Sequence, residues 1–326
     1  MFSALFIPAS VASVKITVLS GGVGGARFLR GLRAAASDAS ITAIVNTGDD
    51  MTLAGLRIAP DLDSIMYTLA GQNDEGRGWG RVGETERVSA ELDAYGVGWP
   101  WFTLGDLDIG THITRTSLLA TMPLSAVTDR ITARWDLGVH LIPMTDDRVE
   151  TRVHTTDGQN LHFQEWWTRY RASLPAASFE QSDVAAASPA PGVLAALRDA
   201  DVVLLAPSNP VVSIGTILGI PGIRAALAET AAPVVGVSPI IGGAVVRGMA
   251  DACLTAIGVS TTALAVAEHY GSRTSGGVID AWLVDEADAA SVAPLTALGL
   301  RARAVPLYMR DAATSRQLAL DALALA

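Results

Sequence analysis

The stretch Lys15-Ile-Thr-Val-Leu-Ser-Gly-Gly-Val-Gly-Gly-Ala-Arg-Phe28 decides the fold. An apolar, β-type run ends at Ser20, four glycines occupy the five positions 21–25, and a helical pattern follows at once. A strand that passes through glycines into a helix is where α/β proteins hold phosphate. The free N–H groups of the first helical turn point at the ligand, and the missing Cβ atoms let an anionic oxygen approach. Ser20, Gly21, Gly22, Gly24 and Gly25 are therefore candidate anion-binding positions. Arg27 adds a guanidinium suited to phosphate. A turn that only packs a helix against a strand needs fewer glycines than this.

The two commonest loops of this kind are excluded. A dinucleotide fingerprint starting at Gly22 needs glycine at position 27, where Arg27 stands, and an acid after the second strand, where Asn46 stands. A Walker A loop needs Gly-Lys-Ser/Thr, and Lys15 is the only lysine in the chain. An NAD-dependent oxidoreductase is disfavoured on the same grounds.

Further buried-strand runs recur at Ile41–Asn46, Val139–Pro143, Val202–Ala206, Val234–Val237, Ile279–Val284 and Arg303–Leu307, with helical patterns between most of them. This alternation predicts an α/β fold: a Rossmann-like, mostly parallel sheet with helices on both faces. Residues 14–326 read as a single domain carrying a helical insertion at about 61–135, laid over the carboxyl edge of the sheet. Helices are expected there at Asp61–Leu69, Glu84–Tyr95 and Ser125–Trp135. A hairpin of Glu150–Thr155 and Asn160–Phe163 turns at Asp157-Gly158. Ser182–Pro191 reads as a surface loop, and Asp311–Leu325 as a final amphipathic helix. Residues 1–13 read as a disordered leader without the basic start of a secretory signal.

The 326 residues are half hydrophobic, 17% charged and carry a net charge of −10. That balance argues against a nucleic-acid or anionic-membrane surface, and no run approaches the length of a membrane span. Cys253 is the sole cysteine, so an intramolecular disulfide and a multi-cysteine metal site are both impossible. A cytoplasmic protein fits, and Cys253 itself reads as a small core hydrophobe.

The polar residues that could carry chemistry gather at the carboxyl ends of the strands, where doubly wound sheets bind ligands. Asn46-Thr-Gly-Asp-Asp50 offers two adjacent carboxylates of the hard type that Mg²⁺ takes, although Gly-Asp-Asp is also ordinary turn chemistry. Pro60-Asp-Leu-Asp63 opens a helix, where Asp61 reads as a cap and Asp63 could turn to a ligand. Asp106 and Asp108 could face the same ligand with His112 as a hydrogen-bond donor, or Asp108 could cap a helix. Ser208, Asn209 and Ser213 lie in a proline-stiffened loop after Val202–Ala206. Val237-Ser-Pro-Ile-Ile-Gly-Gly243 forms a second such edge. Trp166 and Trp167 read equally as a stacking platform or as core. No nucleophile–histidine pair stands out.

These motifs, in this order, resemble the 2-phospho-L-lactate / phosphoenolpyruvate transferase family of coenzyme F420 biosynthesis. The likeness rests on Ser-Gly-Gly-Val-Gly-Gly at 20–25, Val-Asn-Thr-Gly-Asp-Asp at 45–50, Pro-Asp-Leu-Asp at 60–63, Gly-Trp-Gly at 78–80, Leu-Gly-Asp at 104–106 and Thr-His at 111–112. It continues through Leu-Ile-Pro-Met-Thr-Asp-Asp at 141–147, His-Phe-Gln-Glu-Trp-Trp at 162–167, Pro-Ser-Asn-Pro-Val-Val-Ser-Ile-Gly at 207–215 and Ser-Pro-Ile-Ile at 238–241. One departure is Leu107, where the family tends to carry a basic residue; Arg115 could supply that contact.

The resemblance implies an enzyme that joins the deazaflavin alcohol Fo to a lactyl- or enolpyruvyl-diphosphoguanosine, releasing GMP. It implies Mg²⁺ as cofactor, a homodimer, and Asp49 and Asp63 as metal-binding and catalytic acids. Ser20, the glycines, Arg27, Asn46, Asp50, Asp106, His112, Ser208, Asn209 and Ser213 would bind substrate. The arginine- and alanine-rich composition is similar to that of actinobacterial members, which implies the enolpyruvyl donor. Asp49 and Asp63 are expected to be partly exposed, so that Asp49→Ala or Asp63→Ala abolishes turnover with the fold intact. The alternative, from another functional class, is a nucleotide-sugar-binding regulatory protein of the same fold.

Overall fold

The computed structural model describes residues 13–326, so the leader expected at 1–13 lies, apart from Ser13, outside the described residues. Seven strands build the central sheet: β1 (Lys15–Ser20), β2 (Ser40–Val45), β3 (His140–Pro143), β4 (Val202–Leu205), β5 (Val234–Val237), β6 (Ala281–Val284) and β7 (Arg301–Ala304). Every pairing is parallel, and the spatial order is β7-β6-β5-β4-β1-β2-β3. This is the order of a Rossmann sheet with a seventh strand added, and the chain reverses direction between β1 and β4.

The strands are apolar throughout because both faces are covered. Ile16 and Val18 point into one core with Ala43, Leu204 and Leu283, whereas Leu19 joins Ile44, Leu205, Val234 and Trp282 in the core on the opposite face. The strict alternation of β1 between the two cores follows from the two-residue period of a strand. Helix α1 (Gly22–Ala35) and the C-terminal helix Ala312–Leu323 pack together on the first face. The latter opens with a capping box between Asp311 and Thr314.

The connection from β2 to β3 carries the insertion. It holds α2 (Pro60–Leu69), α3 (Arg87–Ala94), α4 (Asp106–Leu119) and α5 (Leu124–Thr132). Here α2 is part of the sheet's own cover: Leu62, Ile65, Met66 and Leu69 sit in the core with α1. Two elements escape the periodicity of the sequence. A hairpin of Met51–Leu53 and Leu56–Ile58 is too short to alternate visibly, and α4 buries Asp108, His112 and Arg115 where an amphipathic helix would bury apolar groups. The small core of Met51, Leu53, Ile58, Leu104 and Ile109 joins the two.

A separate antiparallel sheet of Asn160–His162, Glu150–Thr155 and Ala176–Ser182 extends the hairpin expected near Asp157-Gly158 by a third strand. Several limits shift from expectation: β6 begins at Ala281 rather than Ile279, α3 spans Arg87–Ala94 rather than Glu84–Tyr95, and α5 spans Leu124–Thr132 rather than Ser125–Trp135. The last strand ends at Ala304, because the chain then turns off the sheet and Leu307 N–H donates to Asp285 Oδ2 at 2.9 Å. The segment expected as a surface loop at Ser182–Pro191 sends Ala187 and Ala190 into the core. Among the described residues no helix is long and apolar enough to cross a membrane.

Candidate functional site

A cavity of about 560 Å³ opens at the carboxyl ends of the strands, over the point where the strand order reverses. Its size suits a small-molecule ligand. Gly21–Gly24 and Arg27 of α1 form one wall and Pro207–Asn209 after β4 the next. The insertion contributes Asp61, Asp63 and Tyr67 of α2, Trp101–Leu104, and Asp108 and His112 of α4. Phe163, Gln164 and Trp167 come from the three-stranded sheet and its helical turn, and Ser238 and Val245–Ala250 from the segment after β5.

The glycine loop is built by close approach. A Cβ on Gly24 would stand 2.7 Å from the Pro207 carbonyl oxygen, and one on Gly25 would strike Ser20 Oγ. Gly22 has φ +62, in the left-handed region that glycine alone adopts freely. Ser208 stitches the loop to β4: its Oγ accepts from Gly21 N–H at 3.0 Å and donates to the Gly21 carbonyl at 2.7 Å. Gly24→Ala is expected to cost about 1–3 kcal/mol of stability, because the contact is with backbone that cannot swing aside. Urea unfolding checks it, and an unchanged midpoint contradicts it.

The structure divides the sequence-derived site residues. Gly21, Gly22, Gly24, Arg27, Asp49, Asp63, His112, Ser208, Asn209 and Ser213 line the cavity. Ser20, Gly25, Asn46, Asp50 and Asp106 do not. Ser20 and Gly25 press against one another behind the loop. Asn46 holds the scaffold instead: its Nδ2 donates to Asp61 Oδ2 at 2.9 Å and its Oδ1 accepts from Gly48 N–H at 2.9 Å. Asp61, expected as a helix cap, therefore faces the cavity tied to Asn46, and no side chain caps the start of α2. Asp50 is completely buried with Arg57 Nη2 at 3.4 Å. Asp106 accepts from the Thr85 N–H at 3.0 Å and hydroxyl at 2.8 Å, which turns it away from the ligand space and leaves Asp108 as the inward acid.

Asp49 and Asp63 are both buried rather than partly exposed, at 5% and 4%. Their surroundings are opposite. Asp63 Oδ2 accepts from Arg115 Nη1 at 3.0 Å and Oδ1 from Arg115 Nη2. Arg115 also approaches His112 Nδ1 at 3.1 Å. Since an arginine can only donate, His112 accepts at Nδ1 and carries its proton on Nε2, 3.4 Å from Asp108 Oδ1. Tyr67 O–H donates to the same Asp108 oxygen at 2.7 Å. Arg115 is 3% exposed, so it does not replace a basic group at Leu107, which is 42% exposed on the outer face of the helix.

Asp49, by contrast, keeps a buried Oδ1 that has no hydrogen-bond partner among the described residues. Burial drives its carboxyl well above the usual range, with Asp61 and Asp50 adding like charge. Burial also raises Asp50 to about 7, against the pull of Arg57 and Arg115, and Asp61 to about 6. An orphaned carboxylate oxygen crowded by acids fits a hard divalent cation. Asp63, Asp108 and His112 also bring ligand atoms within 4.8 Å of one another, but the Arg115 guanidinium already supplies the positive charge there.

A pH dependence follows. The folded protein holds protons on Asp50 and Asp61 above the 3.8 of an ordinary aspartate. The stability these groups contribute is complete below that value and is lost as pH rises through about 6 to about 7. Without divalent cations the thermal midpoint should fall from about pH 5 to about pH 8, and Mg²⁺ should restore more of it at the higher pH. A flat midpoint indifferent to Mg²⁺ would contradict the cation site.

Sequence reasoning missed Arg247, which lies in a glycine-rich segment without periodicity, and Trp101, which the aromatic run Trp99-Pro-Trp-Phe102 could have signalled. The tryptophan pair divides: Trp166 is fully buried, its Nε1 donating to the Leu174 carbonyl at 2.7 Å, while Trp167 lines the cavity.

A glycine loop at the reversal point of a Rossmann-ordered sheet, with buried acids lining the same cavity, is the arrangement in which α/β proteins hold phosphorylated ligands. Residues 16–306 match the family model described as 2-phospho-L-lactate transferase CofD, and the chain belongs to that family of transferase enzymes. It is 58% identical over 317 residues to the phosphoenolpyruvate transferase of Streptomyces coelicolor, covering 96% of this chain and 98% of that one. It is 58% identical to the phosphoenolpyruvate transferase of Thermobifida fusca, covering 91% and 93%, and 51% identical to that of Mycobacterium sp. strain KMS, covering 94% and 96%. In fold it is similar to a crystal structure of a UPF0052-family protein from Bacillus halodurans, with a TM-score of 0.61 at 18% identity, covering 95% of this chain and 100% of that chain.

Proposed function

We propose that this transferase moves a phosphoenolpyruvyl group from an enolpyruvyl-diphosphoguanosine to the terminal ribityl hydroxyl of the deazaflavin Fo, giving dehydro-F420-0 and GMP; a 2-phospho-L-lactyl donor would react in the same way. The names of the relatives support the enolpyruvyl form. The single observation that carries the chemistry is that the α1 glycine loop and the orphaned carboxylate of Asp49 line one cavity at the carboxyl ends of the strands.

The Fo hydroxyl oxygen bonds to the phosphorus that carries the three-carbon acid. The bond from that phosphorus to the bridging oxygen breaks, GMP leaves with the electron pair, and the hydroxyl proton passes to solvent. Phosphoryl transfer of this kind rests on positioning and charge neutralisation, with no need for a covalent enzyme intermediate. Val23 and Gly24, in the first turn of α1, would present N–H groups to the diphosphate, while the N–H of Gly21 is held by Ser208 and that of Gly22 by Asp61. Asp49 would hold Mg²⁺, which when bound offsets charge on the phosphate oxygens. Asp63, fixed by Arg115, orients the attacking hydroxyl. Trp101, Phe102 and Trp167 offer flat apolar surface to a deazaflavin ring.

The test is release of GMP from the donor. It should require Fo and stop when EDTA removes divalent cations. Release that proceeds equally without Fo would remove the transferase reading.

A further inference from the structure

Among the described residues, only two of the charged groups lining the main cavity are permanently cationic, Arg27 and Arg247. The others are Asp49, Asp61, Asp63, Asp108 and the titratable His112. Both arginines also line a side pocket between α1, α2 and the 73–80 loop, which opens onto the main cavity past Ser64, Tyr67 and Trp79. Arg30 borders this pocket too, but Glu75 pairs with it at 2.6 Å. Among the described residues neither Arg27 nor Arg247 forms an ion pair, although Arg27 adds to the pull on Glu75 and Asp74 also borders the side pocket. The hydrogen bond formed by Arg247 goes to the Gly78 carbonyl at 3.2 Å. Gly78 has φ +79, and a Cβ there would collide with the guanidinium, so the loop gives way to let Arg247 in.

A ligand that carries a diphosphate and a carboxylate brings three anionic groups into a cavity whose other charged residues are mostly acids. The diphosphate is answered by the glycine loop and by a cation at Asp49. We infer that Arg27 and Arg247 together form the subsite for the carboxylate of the three-carbon acid on the donor, with Arg247 as the residue that distinguishes this donor from a plain guanosine diphosphate. The planar guanidinium fork matches a carboxylate in two parallel hydrogen bonds, and both arginines stand where the small side pocket meets the main cavity. This rests on the transferase reading.

The experiment compares calorimetric binding of enolpyruvyl-diphosphoguanosine and of GDP, both with Mg²⁺, to the wild type, Arg247→Gln and Arg247→Lys. Arg247 is exposed on a loop, so the variants should fold, and GDP binding reports that they have. The wild type should bind the enolpyruvyl donor more tightly than GDP. Arg247→Gln should lose that preference, weakening the donor by roughly tenfold or more while GDP changes by less than about twofold, and Arg247→Lys should recover part of it. A variant weakened equally toward both ligands places Arg247 on the shared phosphates and overturns the inference, as does a wild type without preference. A wild type that binds neither ligand removes the transferase reading, and this inference with it.

Discussion

Asp49→Asn is expected to lower turnover by at least roughly 10²-fold, with a thermal midpoint no lower than that of the wild type. The substitution keeps the shape of the side chain and removes its charge. In the free protein that charge is a burden: Asp49 is buried, its Oδ1 lacks a partner among the described residues, and Asp61 and Asp50 repel it. Asparagine relieves the repulsion, so the fold gains or stays level. The reaction loses the carboxylate that would hold the cation against the phosphates. Steady-state rates beside a thermal scan separate the two effects. Unchanged turnover would place the cation elsewhere.

Asp63→Ala should behave in the opposite sense and destabilise the protein by about 3–5 kcal/mol. Arg115 is 3% exposed and is held through both terminal nitrogens by Asp63. Removing the carboxylate strands a buried guanidinium, which retains only the His112 nitrogen at 3.1 Å and the Arg57 carbonyl at 3.4 Å. Arg115→Ala should cost a similar amount for the reciprocal reason. Asp63→Leu with Arg115→Met should recover much of the loss, because the pair then leaves no orphaned charge. Urea unfolding of the two single variants and the double variant measures this. Additive losses would show that the two residues are not an energetic unit. The expectation of an intact fold came from treating Asp63 as partly exposed; its burial reverses it.

What could be read from the chain divides along physical lines. The sheet was legible because a two-sided core leaves long apolar runs that no other element produces: Ile16–Ser20, Val202–Ala206 and Val234–Val237 all form strands at or within one residue of the expected limits. The glycine loop was legible because close backbone approach leaves a compositional trace. Helix α4 was not, since beside Ile109 and Thr111 it buries Asp108, His112 and Arg115, whose burial is satisfied by one another and by Asp63 and Tyr67 rather than by an apolar stripe. Within the site, residue type announced polarity but not direction. Asn46 and Ser208 spend their hydrogen bonds on the scaffold, and Asp106 turns to Thr85, while Asp108, two positions further on, and Asp61 face the cavity. Those choices are fixed by neighbours distant in sequence. Arg247 meets Gly78 across 169 positions, and no local pattern encodes that meeting.

The central claim is a bond between the Fo hydroxyl and a phosphate that carries a three-carbon acid. Mass spectrometry of the product formed from Fo with the enolpyruvyl donor, and separately with the lactyl donor, tests it most directly. Mg²⁺-dependent formation of an adduct with the mass of dehydro-F420-0 is expected from the enolpyruvyl donor, with GMP released in equal amount. Unmodified Fo after incubation with either donor would contradict it.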